Sequence, residues 1–230
     1  MTPTTPIRFQ VNKRVALALK KRHPWIYRGQ CSSALDAIPV GSLVKLFGPT
    51  NEFLGIGLYE PYSAIAIRVL SFDHTELPVD HFDKILKKAW AKRQNKISKF
   101  KTNAFRWVHG EADGLPGLTI DVYGHTAIAV FHLETLRPLM AEALWRIAKE
   151  FDLEKLYLRP RKVPAEHKQL VNLLTGIEEI VKEPLWFDEQ DWSLPCFPLT
   201  GQKTGYYLDL RELRTILARF VKPDQSVLNL

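Results

Sequence analysis

Four groups of residues in this chain have types and spacings that could do chemistry. The first is Gly201-Gln-Lys-Thr-Gly-Tyr-Tyr-Leu-Asp-Leu-Arg211. Two glycines around a Lys-Thr pair suggest a phosphate-binding loop, but that motif needs its Lys directly after the second glycine of a fixed frame. Here Gln202 separates Gly201 from Lys203, and the position five residues before Gly201 is Cys196. Nucleoside triphosphate hydrolysis is therefore not expected. What remains is a loop whose backbone N–H groups and tyrosine rings could hold a small polar ligand. A tight turn with exposed tyrosines accounts for the same residues equally well.

The second group is His109, Glu111 and Asp113, spaced by two so that a strand would place them on one face for metal or acid–base work. Gly110, Gly114 and Gly117 disfavour a regular strand, and a turn held by side chain-to-backbone bonds is expected in place of a metal site. The third is Lys20-Lys-Arg-His-Pro-Trp-Ile-Tyr-Arg28, read as a loop that combines phosphate-neutralising cations with stackable rings. Lys20, Lys21, Arg22 and Arg28 are expected to face RNA, with Trp25 structural. The fourth is a pair of distant cysteines, Cys31 and Cys196, in no metal-binding or redox spacing. Cys196 lies in an apolar Leu-Pro-Cys-Phe-Pro setting without a nearby histidine, so a structural thiol is expected. Two unpaired cysteines and the absence of a signal-like N-terminus point to a reducing cytoplasm.

These groups must be positioned by short elements. Residues 6–72 read as brief strands broken at Gly48-Pro49 and Pro61, which suggests a small barrel. An amphipathic helix is predicted over 80–98, with Phe82, Ile85, Leu86, Ala89, Trp90 and Ile97 on one face and lysines and arginines elsewhere. A hairpin follows, with strands at Leu118–Tyr123 and Thr126–Leu133 around Gly124, then a helix at 135–151 and a strand at Lys155–Arg159. A helix near 164–174 and further strands to about 194 would complete a small α+β unit. Asp209 is expected to cap a helix in a box with Glu212. That helix would run to Phe220 and bury Leu210, Leu213, Leu217 and Phe220, with an apolar strand starting at Ser226.

Charge is unevenly placed. Residues 1–100 hold 16 Lys and Arg against 7 Asp and Glu, whereas residues 101–230 hold 16 against 18. The excess positive charge lies in the first part of the chain, as expected if that part approaches a polyanion. No apolar run is long enough for a membrane helix, so no membrane partner is expected.

Three segments together resemble one family, the PUA-domain-containing SAM-dependent RNA cytosine-5 methyltransferases that act on bacterial large-subunit ribosomal RNA. They are Lys21-Arg-His-Pro-Trp-Ile-Tyr27 with Gly55-Ile-Gly-Leu-Tyr59 and Ile67-Arg-Val69; Gly110-Glu-Ala-Asp-Gly-Leu-Pro-Gly-Leu-Thr-Ile-Asp121; and Gly201–Arg211. The resemblance implies an α+β chain with a PUA-like RNA-binding barrel at 1–73, a basic connector helix at 74–100 and a central α+β domain at 101–195. Residues 196–230 would begin a Rossmann-like methyltransferase domain. In that arrangement Lys203, Thr204, Tyr206, Asp209 and Arg211 border the cavity for S-adenosyl-L-methionine (SAM). Leu210 stands where the family usually carries a polar residue.

The same resemblance makes Val227-Leu-Asn-Leu230 the first strand of the catalytic sheet. The family continues into a glycine-containing SAM loop, an acidic ribose contact and catalytic cysteines. None of these falls within the 230 residues, and neither Cys31 nor Cys196 matches a catalytic cysteine, so no catalytic residue is assigned. The expected chemistry is thiolate attack on the pyrimidine ring, methyl transfer from SAM to its carbon 5, and release. Two readings stay open: the RNA-binding front of a truncated methyltransferase, unable to methylate alone, or a stand-alone RNA-binding adaptor. RNA, in particular large-subunit ribosomal RNA, is the expected partner, and self-association into a homodimer is left open.

Overall fold

The computed structural model describes residues 6–163, 168–222 and 224–226. The described residues mix α and β structure in two sheets of five and six strands and a separate hairpin. The first sheet contains β1 (Ile7–Gln10), β2 (Trp25–Tyr27), β3 (Leu43–Phe47), β4 (Phe53–Tyr59) and β5 (Ile65–Ser71), in the order β1-β3-β4-β5-β2. β1 runs parallel to β3, and the other pairs are antiparallel. Helix α1 (Lys13–Lys20) is started by Asn12, whose side chain accepts from the Val15 amide, and it lays Val15, Ala16 and Leu19 on the sheet. Ile26, Val44, Leu46 and Ile67 fill this core. Gly57 is needed for close packing, because a Cβ there would meet Ile67 Cγ2 at 2.4 Å.

The third group is thus not a loop throughout. Lys20 ends α1, Trp25–Tyr27 is strand β2, and Arg28 opens a 3-10 turn.

The connector helix forms as α2 (His81–Ile97), burying Leu86, Ala89 and Ile97. The second sheet takes the order β11-β10-β9-β8-β7-β6, from β6 (Ala104–His109), β7 (Leu118–Tyr123), β8 (Thr126–Phe131), β9 (Lys155–Leu158), β10 (Gln169–Asn172) and β11 (Ile177–Ile180). Its one parallel pair, β8 with β9, is bridged by α3 (Arg137–Glu150), as a parallel connection requires. α2 and α3 cover one face, where Trp90 stacks on Phe151 at 4.2 Å and Trp107 donates to the Leu86 carbonyl. The opposite face is covered in part by the hairpin of β12 (Leu185–Glu189) and β13 (Trp192–Cys196), through Phe187, Cys196 and Leu199 against Tyr123, Ile128 and Tyr157.

Three expectations change. The helix expected near 164–174 is strand β10 at Gln169–Asn172, and 164–167 lie outside the described residues. The apolar cluster Leu170, Val171, Leu173 and Leu174 suits either period, and pairing with β9 and β11 decides for the strand. Asp209 does not cap a helix: it lies in a 3-10 turn (Leu208–Leu210) and binds Lys203, and α4 (Arg211–Leu217) has no side-chain cap. That helix stops before Phe220, and Leu210, Leu213, Leu217 and Phe220 are exposed. The strand expected from Ser226 falls mostly on 227–230, outside the described residues. Among the described residues, no helix is long and apolar enough to cross a membrane.

Candidate functional site

The Gly201 loop is built from beneath. It leaves β13 at Cys196, and its own backbone closes it: the Gly201 amide donates to the Phe197 carbonyl and the Phe197 amide to the Gly205 carbonyl. Gly205 has φ +123 and lies against β13, where a Cβ would meet Cys196 Sγ at 2.6 Å. Lys203 takes the left-handed φ of +56 and is exposed, whereas its neighbour Thr204 is buried. Arg159 ties down the loop's outer limb by donating to the carbonyls of Pro198 (2.6 Å) and Gly201 (2.8 Å).

Thr204 faces inward and is 1% exposed. Its hydroxyl donates to Asp121 Oδ2 at 2.5 Å and bonds the Tyr123 hydroxyl at 2.9 Å. Asp121 is in turn held by both Arg106 Nε (2.8 Å) and Nη2 (2.9 Å). Burial pushes the Tyr123 phenol well above its ordinary value, so it stays protonated and can donate. Burial likewise pushes the Cys196 thiol up to about 12, leaving it an unreactive packing group.

Tyr206 packs edge-on against Phe187 at 4.9 Å beneath the Arg214 guanidinium. Arg211 donates to Glu189 (2.8 Å) and to the Ala104 carbonyl (2.6 Å), and Arg214 adds two bonds to Glu189 at 2.8 Å. Glu189 is fully buried. Burial alone would raise its pKa, but hydrogen bonds from Arg214 and Arg211 outweigh that and hold it below the usual carboxylate range.

The five residues expected around a cofactor thus divide. Thr204, Tyr206 and Arg211 are engaged in internal contacts, whereas Lys203 and Asp209 are exposed and bonded to each other at 2.6 and 2.7 Å. Lys203 also lies over the Tyr207 ring, 4.6 Å from its centroid.

The four residues expected to face RNA lie at the surface around the first sheet, which among the described residues is open, its edges β1 and β2 unpaired, where a barrel was expected; three of the four already have partners. Lys20 pairs with Glu52 (2.9 Å), Arg22 with Asp73 through two bonds (2.9 and 2.8 Å), and Arg28 with Asp36 (3.1 Å) and the Pro61 carbonyl. Lys21 is exposed beside them. Trp25 is half-buried, and its indole N–H donates to Glu111 Oε1 at 2.8 Å, linking β2 to the 3-10 turn that follows β6.

His109 ends β6, and Gly110–Asp113 is a 3-10 turn, as the glycines suggested. Asp113 Oδ2 accepts from the His109 amide (2.7 Å), and Arg93 clamps the same carboxylate at 2.6 and 2.5 Å. The sequence reading passed over Arg106, His132, Arg159 and Arg161. Register between β6, β7 and β8 brings Arg106, Asp121 and Ile128 into one cross-strand row and sets Thr119 beside Val130 in the next. The usable signal was period-two alternation across separate strands.

Comparison with known proteins agrees with this architecture. Residues 9–72 match the PUA-like domain family. The chain is 31% identical over 217 residues to ribosomal RNA large subunit methyltransferase I of Alteromonas mediterranea, covering 92% of this chain and 53% of that protein. It is 30% identical over 230 residues to the protein of the same name from Shewanella denitrificans, covering 97% and 57%. Among solved structures, the fold is similar to a Streptococcus mutans protein described as a SAM-dependent methyltransferase, at TM-score 0.74 and 20% identity over 92% of this chain and 54% of that one. A structure described as a methyltransferase complexed with SAH gives TM-score 0.73 at 19% identity, over 92% of this chain and 53% of that one. The chain spans about half the length of the curated relatives it matches. It therefore carries a PUA-like domain and is homologous, across nearly all of its residues, to part of the ribosomal RNA large subunit methyltransferases I.

Proposed function

We propose that this chain is the RNA-recruiting portion of a SAM-dependent methyltransferase acting on large-subunit ribosomal RNA, with carbon 5 of a cytosine as the methylated position. The observation that carries this reading is the 92% coverage by a ribosomal RNA large subunit methyltransferase I, together with a PUA-like segment at 9–72. The division into a barrel at 1–73, a connector at 74–100, a central domain at 101–195 and a methyltransferase-side segment at 196–230 belongs to the same proposal. So do a cytoplasmic setting and a homodimer.

SAM, when bound, supplies the methyl group. Of the candidate contacts, Lys203 and Asp209 are exposed at the rim of the loop and are available to its polar groups, and Thr204, Tyr206 and Arg211 hold that rim in place. The barrel's part is electrostatic recruitment through Lys20, Lys21, Arg22 and Arg28. Their carboxylate partners would exchange for phosphates, which is cheap for exposed pairs.

The test is binding of a fluorescent large-subunit ribosomal RNA fragment, followed by anisotropy from low to high salt. Saturable binding that weakens log-linearly with salt is expected, and no saturable binding at low salt refutes the recruiting role. A second reading, an RNA-binding adaptor with no cofactor role, draws on the internal engagement of Thr204, Tyr206 and Arg211. Millimolar SAM separates the two: a rise in melting temperature favours the methyltransferase reading and an unchanged one the adaptor.

A further inference from the structure

The hairpin β12–β13 and the Gly201 loop cover only part of the central sheet's second face. Beside them lies a cleft of about 480 Å³ whose floor is Thr119 and Val130 and whose rim carries Arg106, Arg159, Arg161 and Lys203. His132, exposed just beyond the end of β8, closes one side.

Three neighbouring clefts share residues with it. One of about 390 Å³ shares His132 and Arg161 and reaches the barrel at Tyr62 and Arg68. One of about 320 Å³ shares Thr119 and His132 and is bounded by the Gly110 turn. One of about 450 Å³ shares Arg106 and continues to Arg93 and Lys96 on α2. Sharing these lining residues, the four clefts lie side by side as a row from the first sheet's unit to the connector helix, which we call a trough, with each compartment in the size range of a single small ligand such as a mononucleotide.

The charge in this trough is less compensated than that on the barrel. Arg159 donates to two carbonyl oxygens, which leave its positive charge in place. Arg161 is exposed and makes no hydrogen bond or ion pair with a described residue. Arg68 is 9% exposed, and its Nε is buried without a hydrogen-bond partner among the described residues, with Glu111 at 3.9 Å. Arg106 and Lys203 are each matched by one carboxylate, Asp121 and Asp209. Glu60 and Glu134 line the barrel end; Glu60 accepts from Thr135, and Glu134 lies 3.6 Å from Arg137. Tyr62, 86% exposed at the same end, offers a bare ring of the kind on which bases stack.

Resting on the recruiting role proposed above, we infer that this trough is a track for single-stranded RNA, with Arg159, Arg161, Arg106 and Lys203 holding backbone phosphates and Tyr62 and His132 meeting bases. A cationic groove with interspersed rings is the arrangement that single-strand binders use. Duplex RNA is read across a wide shallow groove from outside and does not need compartments of this size.

The test uses the full chain without SAM, a fluorescein-labelled 12-nucleotide oligouridylate and a 12-base-pair duplex. The probe variant is Arg161→Ala with Lys203→Asn; both side chains are exposed, and asparagine tolerates the left-handed backbone at 203. Unchanged far-ultraviolet circular dichroism and a melting temperature close to that of the unmodified chain confirm that it folds. Losing two phosphate contacts is expected to weaken oligouridylate binding about tenfold at low salt and to flatten the log–log salt slope by about 1.4. The barrel variant Lys20→Ala with Lys21→Ala is expected to change oligouridylate affinity less than twofold.

A trough variant that binds like the unmodified chain with the same slope overturns the track and leaves RNA recruitment standing. So does a loss seen only in the barrel variant, or tighter binding of the duplex. Displacement of the oligouridylate by an equal charge concentration of polyglutamate overturns it in favour of an acidic peptide. If the unmodified chain binds no RNA, including the ribosomal fragment, the track and the recruiting role both fall.

Discussion

Replacing Thr204 by valine separates a ligand contact from a structural one. Thr204 is 1% exposed, and its hydroxyl bonds the Asp121 carboxylate at 2.5 Å and the Tyr123 hydroxyl at 2.9 Å. Valine fits the space but removes both bonds. A hydrogen bond to a charged group contributes about 1.5–3 kcal/mol and one between neutral groups about 1 kcal/mol. Asp121 keeps Arg106, so the carboxylate is not stranded, and the added methyl recovers about 0.8 kcal/mol by burial. The net loss should be about 2–3 kcal/mol, or roughly 5–10 °C in melting temperature for a chain of this size. Urea unfolding followed by circular dichroism measures it, with Thr204→Ser as the variant that restores the hydroxyl. A Thr204→Val protein within about 0.5 kcal/mol of the unmodified chain, the range of a surface substitution, would refute the buried relay.

Gly205→Ala should cost more than 2 kcal/mol, since the new Cβ meets Cys196 Sγ at 2.6 Å on a φ of +123; equilibrium unfolding checks it. Glu189→Ala removes the partner of two guanidiniums and should destabilise by about 3–5 kcal/mol at neutral pH. Because the folded pKa of Glu189 is depressed, its contribution is complete above the unfolded carboxylate value and is lost as pH falls through the folded one. The gap between Glu189→Gln and the unmodified chain should therefore narrow in unfolding curves taken below about pH 4. Cys196, fully buried with its thiol near 12, should resist a thiol reagent at pH 8 until denaturant is added; labelling in the native state at the rate of a free thiol would contradict its place in the core. Trp25→Phe removes the indole bond to the Glu111 carboxylate and should lower the melting temperature by an amount equivalent to about 1.5–3 kcal/mol, measured by calorimetry.

Where a single element carried its own pattern, the sequence was a sufficient guide. Of the stripe Leu136, Leu139, Met140, Ala143, Leu144 and Ile147 read for the helix at 135–151, all but the half-buried Leu139 are buried along α3 and the 3-10 turn before it, and Gly124, at φ +60, turns β7 into β8 as read. The Gly110–Gly114 turn formed for the reason given, Asp113 bonding backbone close by in sequence. What escaped depends on partners far apart in the chain. β10 follows its neighbours and not its own ambiguous period. Arg211 and Arg214 find Glu189 more than twenty residues away, and Thr204 finds Asp121 eighty-three residues away. The helix expected to bury Leu213, Leu217 and Phe220 is correctly periodic, yet among the described residues its apolar side has no cover. The cationic trough was invisible for the same reason, since Arg106 comes from β6 and Arg159 and Arg161 from the segment just after β9.

The anchoring of the Gly201 loop bears on the speed and heat of any association at its rim. A loop stitched by Arg159 on one limb and by Thr204 underneath has lost its backbone freedom at folding, before a ligand arrives. Encounter then needs no slow rearrangement, so on-rates should follow the collision frequency and its dependence on viscosity and ionic strength. The heat-capacity change should reflect only the surface covered, without the larger signature of a segment that folds as it binds.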